Sequence, residues 1–216
     1  FSPRNLSIGY YQSDLINILV IFFMAVSALH FGLIYAVAVT RSLKPLNNTV
    51  VKYYFGSILV LSLMIMFALK LDGGYESWGK AAMDSTFTVV SYMTTTGFAI
   101  CDNSQWPWLA GIVLIFVSFQ CGCSGSTTGG LKVDRILISF KAIGNEVKRR
   151  LHPTAVSQVR LSGHHLPDSA VHSVMLYIVV YFVVIFLSII GVLLCGSEMP
   201  EAVSGVIASV GSVGPG

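Results

Sequence analysis

Asp84-Ser85-Thr86-Phe87-Thr88-Val89-Val90-Ser91-Tyr92-Met93-Thr94-Thr95-Thr96-Gly97-Phe98 and Glu201-Ala202-Val203-Ser204-Gly205-Val206-Ile207-Ala208-Ser209-Val210-Gly211-Ser212-Val213-Gly214-Pro215 are two copies of one pattern. In register, Asp84 aligns with Glu201, Val89 with Val206, Ser91 with Ala208, and Gly97 with Gly214, 117 positions apart. Each copy is a short apolar segment that ends in a Thr/Ser/Val stretch centred on glycine. Each lies between longer apolar stretches. A helix that enters a membrane part-way and stops at extended, glycine-containing backbone turns carbonyl oxygens toward a pore axis. The pattern reads as part of an ion-conducting protein.

Composition agrees. The 216 residues are 54% hydrophobic and 11% charged, with a mean hydropathy of +0.75; soluble domains carry roughly 25% charged residues. Uncharged stretches run over Leu15–Thr40, Tyr53–Leu69, Asn103–Leu131 and Ser169–Ser197. Each approaches or exceeds the roughly 17 to 25 residues that cross a bilayer. The first lacks a basic leader and a cleavage-like site, so it does not read as a signal peptide. The chain has no initiator Met and stops on Gly216; the expectation is an excerpt of a longer polypeptide.

Charge sets orientation. Arg41, Lys44 and Lys52 fall between the first two stretches, and Lys141, Lys148, Arg149, Arg150 and Arg160 between the third and fourth. The positive-inside rule makes these loops cytoplasmic. The opposite loops hold Lys70 and Lys80 against Asp72, Glu76, Asp84, Asp102, Glu198 and Glu201. An acidic outer mouth concentrates cations.

The expected order is a span (about 13–40), a span (50–71), a re-entrant helix with filter (80–99), a span (106–142), a span (169–195) and a second re-entrant helix with filter (198–216). In domains, 1–45 closes a preceding pore repeat, with Phe1-Ser2 in the place of Phe98-Ala99. Residues 46–150 make a complete helix–pore loop–helix repeat whose second helix is broken. Residues 151–168 connect on the cytoplasmic side, and 169–216 open the next repeat. Repeats of this kind imply pseudo-symmetric packing around a shared axis. The fold class is therefore an all-α membrane protein of repeated transmembrane helix–re-entrant pore helix and filter–transmembrane helix units. The bland alternative for each short segment is a buried helix or an ordinary outer loop.

A cation crossing hydrocarbon needs its water shell replaced by fixed oxygens, which carbonyls supply without added charge. Thr94, Thr95, Thr96 and Gly97 fit that role, as do Gly211, Ser212, Val213 and Gly214. Glycine supplies the unusual φ/ψ values, hydroxyls add ligands, and a helix C-terminus adds partial negative charge. The transported cation at the filter is the sole metal expected, with no covalently bound cofactor.

In the third stretch, Cys121-Gly122-Cys123-Ser124-Gly125-Ser126-Thr127-Thr128-Gly129-Gly130 interrupts an apolar helix. Irregular backbone at membrane depth is tolerated where it is buried in protein or lines a water path. Two readings stand: a movable constriction below the filter, or a kinked helix packed through small residues. Enzymatic readings fail on spacing. A nucleophile elbow needs glycine two residues after Ser124, where Ser126 stands, and a phosphate loop needs Gly-Lys where Leu131 separates Gly130 from Lys132. Cys121-x-Cys123 has no partners to complete four metal ligands. Lys132, Asp134 and Arg135 read as helix-end charges at the cytoplasmic interface. His30 reads as a hydrogen-bonding group facing a neighbouring helix. His152, His164, His165 and His172 show no ligand pattern. The run Lys148-Arg149-Arg150 reads as an inside anchor that meets acidic lipid or a cytosolic partner.

Thr94 to Ala99, Trp106-Pro107, Gly122 to Val133, His152-Pro153 and Val213 to Gly216 together resemble Trk-type potassium-uptake subunits of the Trk/Ktr/HKT cation-transporter superfamily. The resemblance covers essentially the whole chain, and the Gly-Cys-Ser-Gly-Ser-Thr loop is its most specific part. It implies four membrane–pore–membrane repeats around one pore, a homodimer with a pore in each subunit, and gating by a cytoplasmic nucleotide-binding RCK/KTN subunit. It implies a multi-pass protein of the bacterial cytoplasmic (inner) membrane, in contact with membrane lipids, that is not an enzyme and does not bind nucleic acid. Gly97 and Gly214 would be filter glycines. Gly122, Ser124, Gly125, Ser126, Thr127, Thr128, Gly129 and Gly130 would form the gating loop. The alternatives are a sodium-preferring or mixed relative, since serine at a filter glycine tends to mark sodium preference in the superfamily, a non-transporting receptor or scaffold, or an intramembrane enzyme.

Overall fold

The computed structural model describes residues 7–152, 158–161 and 164–214. The expectations for Phe1-Ser2, Pro153 and Pro215-Gly216 fall outside these. Eight α-helices follow in the described residues: α1 (Asp14–Ser27), α2 (Phe31–Thr40), α3 (Thr49–Leu71), α4 (Trp78–Met93), α5 (Trp108–Gln120), α6 (Val133–Leu151), α7 (Asp168–Leu194) and α8 (Met199–Gly211). Between α6 and α7, Arg160–Leu161 and His164–His165 pair as a two-residue antiparallel ladder.

Helix boundaries follow local chemistry. Asn48 caps α3, its Oδ1 accepting the Val50 N–H at 3.0 Å, which satisfies one of the first-turn donors that no helical carbonyl reaches. Pro107 precedes α5 and Pro200 lies in the first turn of α8, where its missing N–H costs nothing. α3 and α7 are long and apolar enough to cross a membrane. At 1.5 Å per residue, the 27 residues of α7 reach about 40 Å, beyond a ~30 Å hydrocarbon core.

Two of the expected spans are not continuous. The stretch 13–40 is split: α1 and α2 meet at 99°. The third stretch stops after the 13 residues of α5 and resumes as α6, whose amphipathic surface carries Lys148, Arg149 and Arg150 at its end.

The core gathers around the short helices. At 16 residues α4 is shorter than the roughly 20 that cross a bilayer, yet Ala81, Phe87, Val89, Val90, Ser85, Ser91 and Met93 along it are buried. It packs against α1, α3 and α5, with Tyr54, Ile65 and Val117 completing that cluster. A second cluster joins Leu131 and Ile136 to Tyr181 and Ile185 of α7 and Val206 and Ile207 of α8. Helix α8 contacts both α7 and α5, so each short helix leans on longer apolar ones.

Candidate functional site

Helices α4 and α8 end in the same way, bond for bond. The Thr95 N–H donates to Tyr92 O at 3.2 Å and the Thr96 N–H to Ser91 O at 3.1 Å; in α8 the Ser212 N–H donates to Ser209 O at 3.1 Å and the Val213 N–H to Ala208 O at 2.8 Å. This paired arrangement is the Schellman ending, which satisfies terminal carbonyls through one left-handed residue. That residue is Thr95 (φ 54°) in one copy and Ser212 (φ 56°) in the other. Two residues on, Gly97 and Gly214 have φ of 70° and 101°, which a Cβ strains. Thr94 and Gly211 occupy equivalent last-turn positions; Gly211 belongs to α8 itself.

The two endings meet. A Cβ built on Gly214 would lie 3.3 Å from the Gly97 Cα. The structure thus brings the carboxyl ends of two sequence-distant short helices, with their partial negative charge, to one place.

Side chains brace the copies differently. Ser91 Oγ donates to Phe98 O at 2.6 Å, tying the backbone after Gly97 to α4; the equivalent Ala208 has no hydroxyl to do so. Thr96 Oγ1 lies 3.2 Å from Thr94 Oγ1 and donates to Met24 Sδ at 2.9 Å. Sequence reading passed over Ser91 and Met24. The Ser91/Ala208 mismatch inside an otherwise matched repeat was the available signal for the first; a lone Met in an apolar helix offers none.

Residues 121–132 form an irregular loop between α5 and α6 that packs against both broken helices. Its backbone completes the α1–α2 break: the Cys123 N–H donates to Ala28 O at 2.9 Å, and Gly125 O accepts the Phe31 N–H at 3.2 Å. Without a continuing helix these groups would be unsatisfied, which is costly away from water. The two breaks satisfy each other. Within the loop, Ser126 Oγ donates to Cys123 O at 2.6 Å and lies 2.8 Å from Thr128 Oγ1. At Gly129 a Cβ would run into the Gly211 carbonyl, and at Gly122 it would lie 2.8 Å from Thr128. The loop therefore abuts the start of the second glycine segment. Gly130 lies against the Cys121 sulfur, and Ser124 and Thr127 complete the turn on its partly open side.

Lys132, Asp134 and Arg135 lie at the start of α6, the helix end expected of them, and there they also bind the neighbouring backbone and α7. Asp134 Oδ2 accepts the Ser124 N–H at 2.5 Å, Lys132 Nζ donates to Ser126 O at 3.3 Å, and Arg135 stacks on Tyr177 with its guanidinium carbon 4.1 Å from the ring centroid. A charged group just past a glycine-rich break finds orphaned backbone groups nearby, and these charges close the loop. The expectation for His30 needs correcting: its Nδ1 accepts the Gly32 N–H of its own α2 at 2.9 Å instead of reaching a neighbouring helix.

Asp134→Ala is expected to lower the thermal stability of the full-length protein in detergent by about 1–3 kcal/mol, because Ser124 N–H loses its acceptor. Asp134→Asn retains an oxygen and should recover part of that loss. Equal melting of all three would remove the bracing role.

On the other side of α4, a cavity of about 710 Å³ is lined by Asp72, Glu76, Lys80, Asp84, Asp102 and Trp106, among others. Lys70 Nζ holds its rim, donating to Tyr75 O at 3.0 Å and Glu76 O at 2.7 Å. Tyr75 Oη donates to Asp84 Oδ2 at 2.9 Å. The Ser104 N–H and hydroxyl hold the Asp102 carboxyl below its ordinary range, so it stays ionised. Four of the six carboxylates expected at an outer mouth gather here. Glu201 instead lines a groove between α7 and α8, and Glu198 immediately precedes α8 without a side-chain cap bond.

This architecture is that of a solved α-helical membrane transporter. The crystal structure of the potassium transporter TrkH from Vibrio parahaemolyticus is similar with a TM-score of 0.94 and 32% identity, covering all of this chain and 47% of that one. The sequence matches the family described as TrkH, cation transport protein, over residues 1–216, and the chain belongs to that family. Similar relatives include the Trk system potassium uptake proteins TrkH of Salmonella typhimurium, 32% identical over all of this chain and 45% of its own length. TrkH of Vibrio parahaemolyticus is 34% identical, with the same coverages, and TrkG of Escherichia coli is 30% identical across all of this chain and 44% of its own length. The chain spans about half the length of the curated relatives it matches. The family is one of transporters, not enzymes, as the residue spacing led us to expect.

Proposed function

We propose that the chain forms part of a potassium-uptake pathway in which K+ crosses a membrane along the backbone of the two glycine segments. The observation that carries this reading is the approach of Gly214 to Gly97 at the ends of two short helices closed by identical hydrogen bonds. Thr94–Gly97 and Gly211–Gly214 supply carbonyl and hydroxyl oxygens to a dehydrating ion. The C-termini of α4 and α8 add negative potential without a fixed charge. The acidic outer cavity raises the local cation concentration. The loop at Gly122–Gly130, lying against Gly211, obstructs the path until it moves, making it the gate.

In this reading residues 46–150 form one helix–pore helix–helix repeat, 1–45 close an earlier one and 169–216 open the next. The remaining filter strands come from other repeats of the whole protein around a pseudo-symmetric axis. A bacterial inner-membrane homodimer regulated by a cytoplasmic RCK/KTN nucleotide-binding subunit is the assembly that accompanies it, with α6 and its basic end on the cytoplasmic side. The relatives are named for potassium uptake, and both glycine segments keep Gly at the tested position, which favours K+ over a sodium-preferring alternative.

Full-length protein reconstituted in lipid vesicles tests it. Uptake of K+ or Rb+ down a gradient, exceeding that of Na+, is expected. Absence of cation flux with and without nucleotide would favour a receptor or scaffold instead, and Na+ exceeding K+ would favour the sodium reading.

A further inference from the structure

The α1–α2 break and the loop are joined by more than backbone. The His30 ring lies flat against Gly125: a Cβ there would sit 2.6 Å from its Cδ2 and Nε2. The same ring accepts the Gly32 N–H through Nδ1. With the Cys123–Ala28 and Phe31–Gly125 bonds, one residue touches the helix start on one side and the loop on the other.

We propose that His30 is a positioning residue for the intramembrane loop: by capping α2 it fixes the bend that presents Ala28 O and Phe31 N–H to Cys123 and Gly125. This deepens the gating reading above and rests on it for its effect on transport. Nδ1 is the acceptor of that cap, and truncation to alanine leaves none. The cavity beside the ring, about 220 Å³, is lined by Asp134 and Cys123 from the loop side and by Asn48 and Val50 from α3. Lys132 is occupied with Ser126 O. Asp134 lines the same cavity and accepts the Ser124 N–H, so the loop is held from its far side as well.

Cys123, 1% exposed, reports the state of the loop. In full-length protein in vesicles, with every cysteine other than Cys123 replaced by alanine, N-ethylmaleimide labelling is compared in backgrounds that differ at residue 30. At neutral pH, His30→Ala should label about fivefold faster than the parent, the equivalent of one lost helix cap. His30→Asn, whose Oδ1 caps equally well, should label at the parental rate. His30→Leu, of similar bulk and with no acceptor, should label like His30→Ala and tests the proposal where His30→Ala fails to fold. Equal labelling in all backgrounds overturns the proposal. Flux measured in the same vesicles separates the two readings: faster labelling with raised flux supports both, and faster labelling with unchanged flux keeps the positioning role while removing the loop as the gate.

Discussion

Gly97→Ser is expected to lower the permeability of K+ relative to Na+ by about tenfold, a change of about 1.4 kcal/mol. At φ 70° a side chain is strained, and such strain costs of order 1–3 kcal/mol. Relief would rotate the peptide planes on either side of position 97. Ser91 Oγ already ties Phe98 O to α4, so the distortion cannot dissipate forward. In the proposed filter it falls on the carbonyls that replace water, so the discrimination in favour of K+ is what is lost. Competing Rb+ and Na+ fluxes in vesicles measure the ratio. An unchanged ratio in a folded variant would detach Gly97 from selectivity.

Deleting residues 125–129 is expected to raise basal flux, measured without nucleotide, by one to two orders of magnitude. The loop is held by Cys123–Ala28, Phe31–Gly125 and Ser124–Asp134 bonds. At about 1 kcal/mol each, these bonds hold the loop against displacement by roughly a hundredfold. The deletion removes one of them and the Gly129 contact with Gly211, clearing the space beside the second glycine segment. Unaltered flux in a properly folded deletion would leave the glycines with a packing role alone.

Much of this was readable from residue order, because the decisive signals are local. The edges of α3 follow from its uniform apolar run and the Asn48 cap, and the helix α4 from an apolar segment too short to span. The interruption after Gln120 follows from four glycines among hydroxyls. The 99° bend between α1 and α2 was not readable. Leu15–Thr40 has no proline, and its one glycine, Gly32, lies past the bend. The bend is held by bonds to Cys123 and Gly125, far along the chain, so its cause is tertiary. The same holds for Thr96 and Met24, and for the roles of Lys132 and Asp134. Charges near a helix start look interfacial until the backbone they serve is in place. The repeat itself was visible as sequence similarity, whereas its physical content, two identical Schellman endings with a left-handed Thr95 and Ser212, needed φ angles.

The central claim is that the oxygens of both glycine segments hold one monovalent cation. Diffraction from crystals of the full-length protein soaked in Rb+, collected at the rubidium absorption edge, tests it most directly. An anomalous peak between Gly97 and Gly214 is the predicted result. Ordered Rb+ elsewhere in the protein, with none beside either glycine, would contradict it.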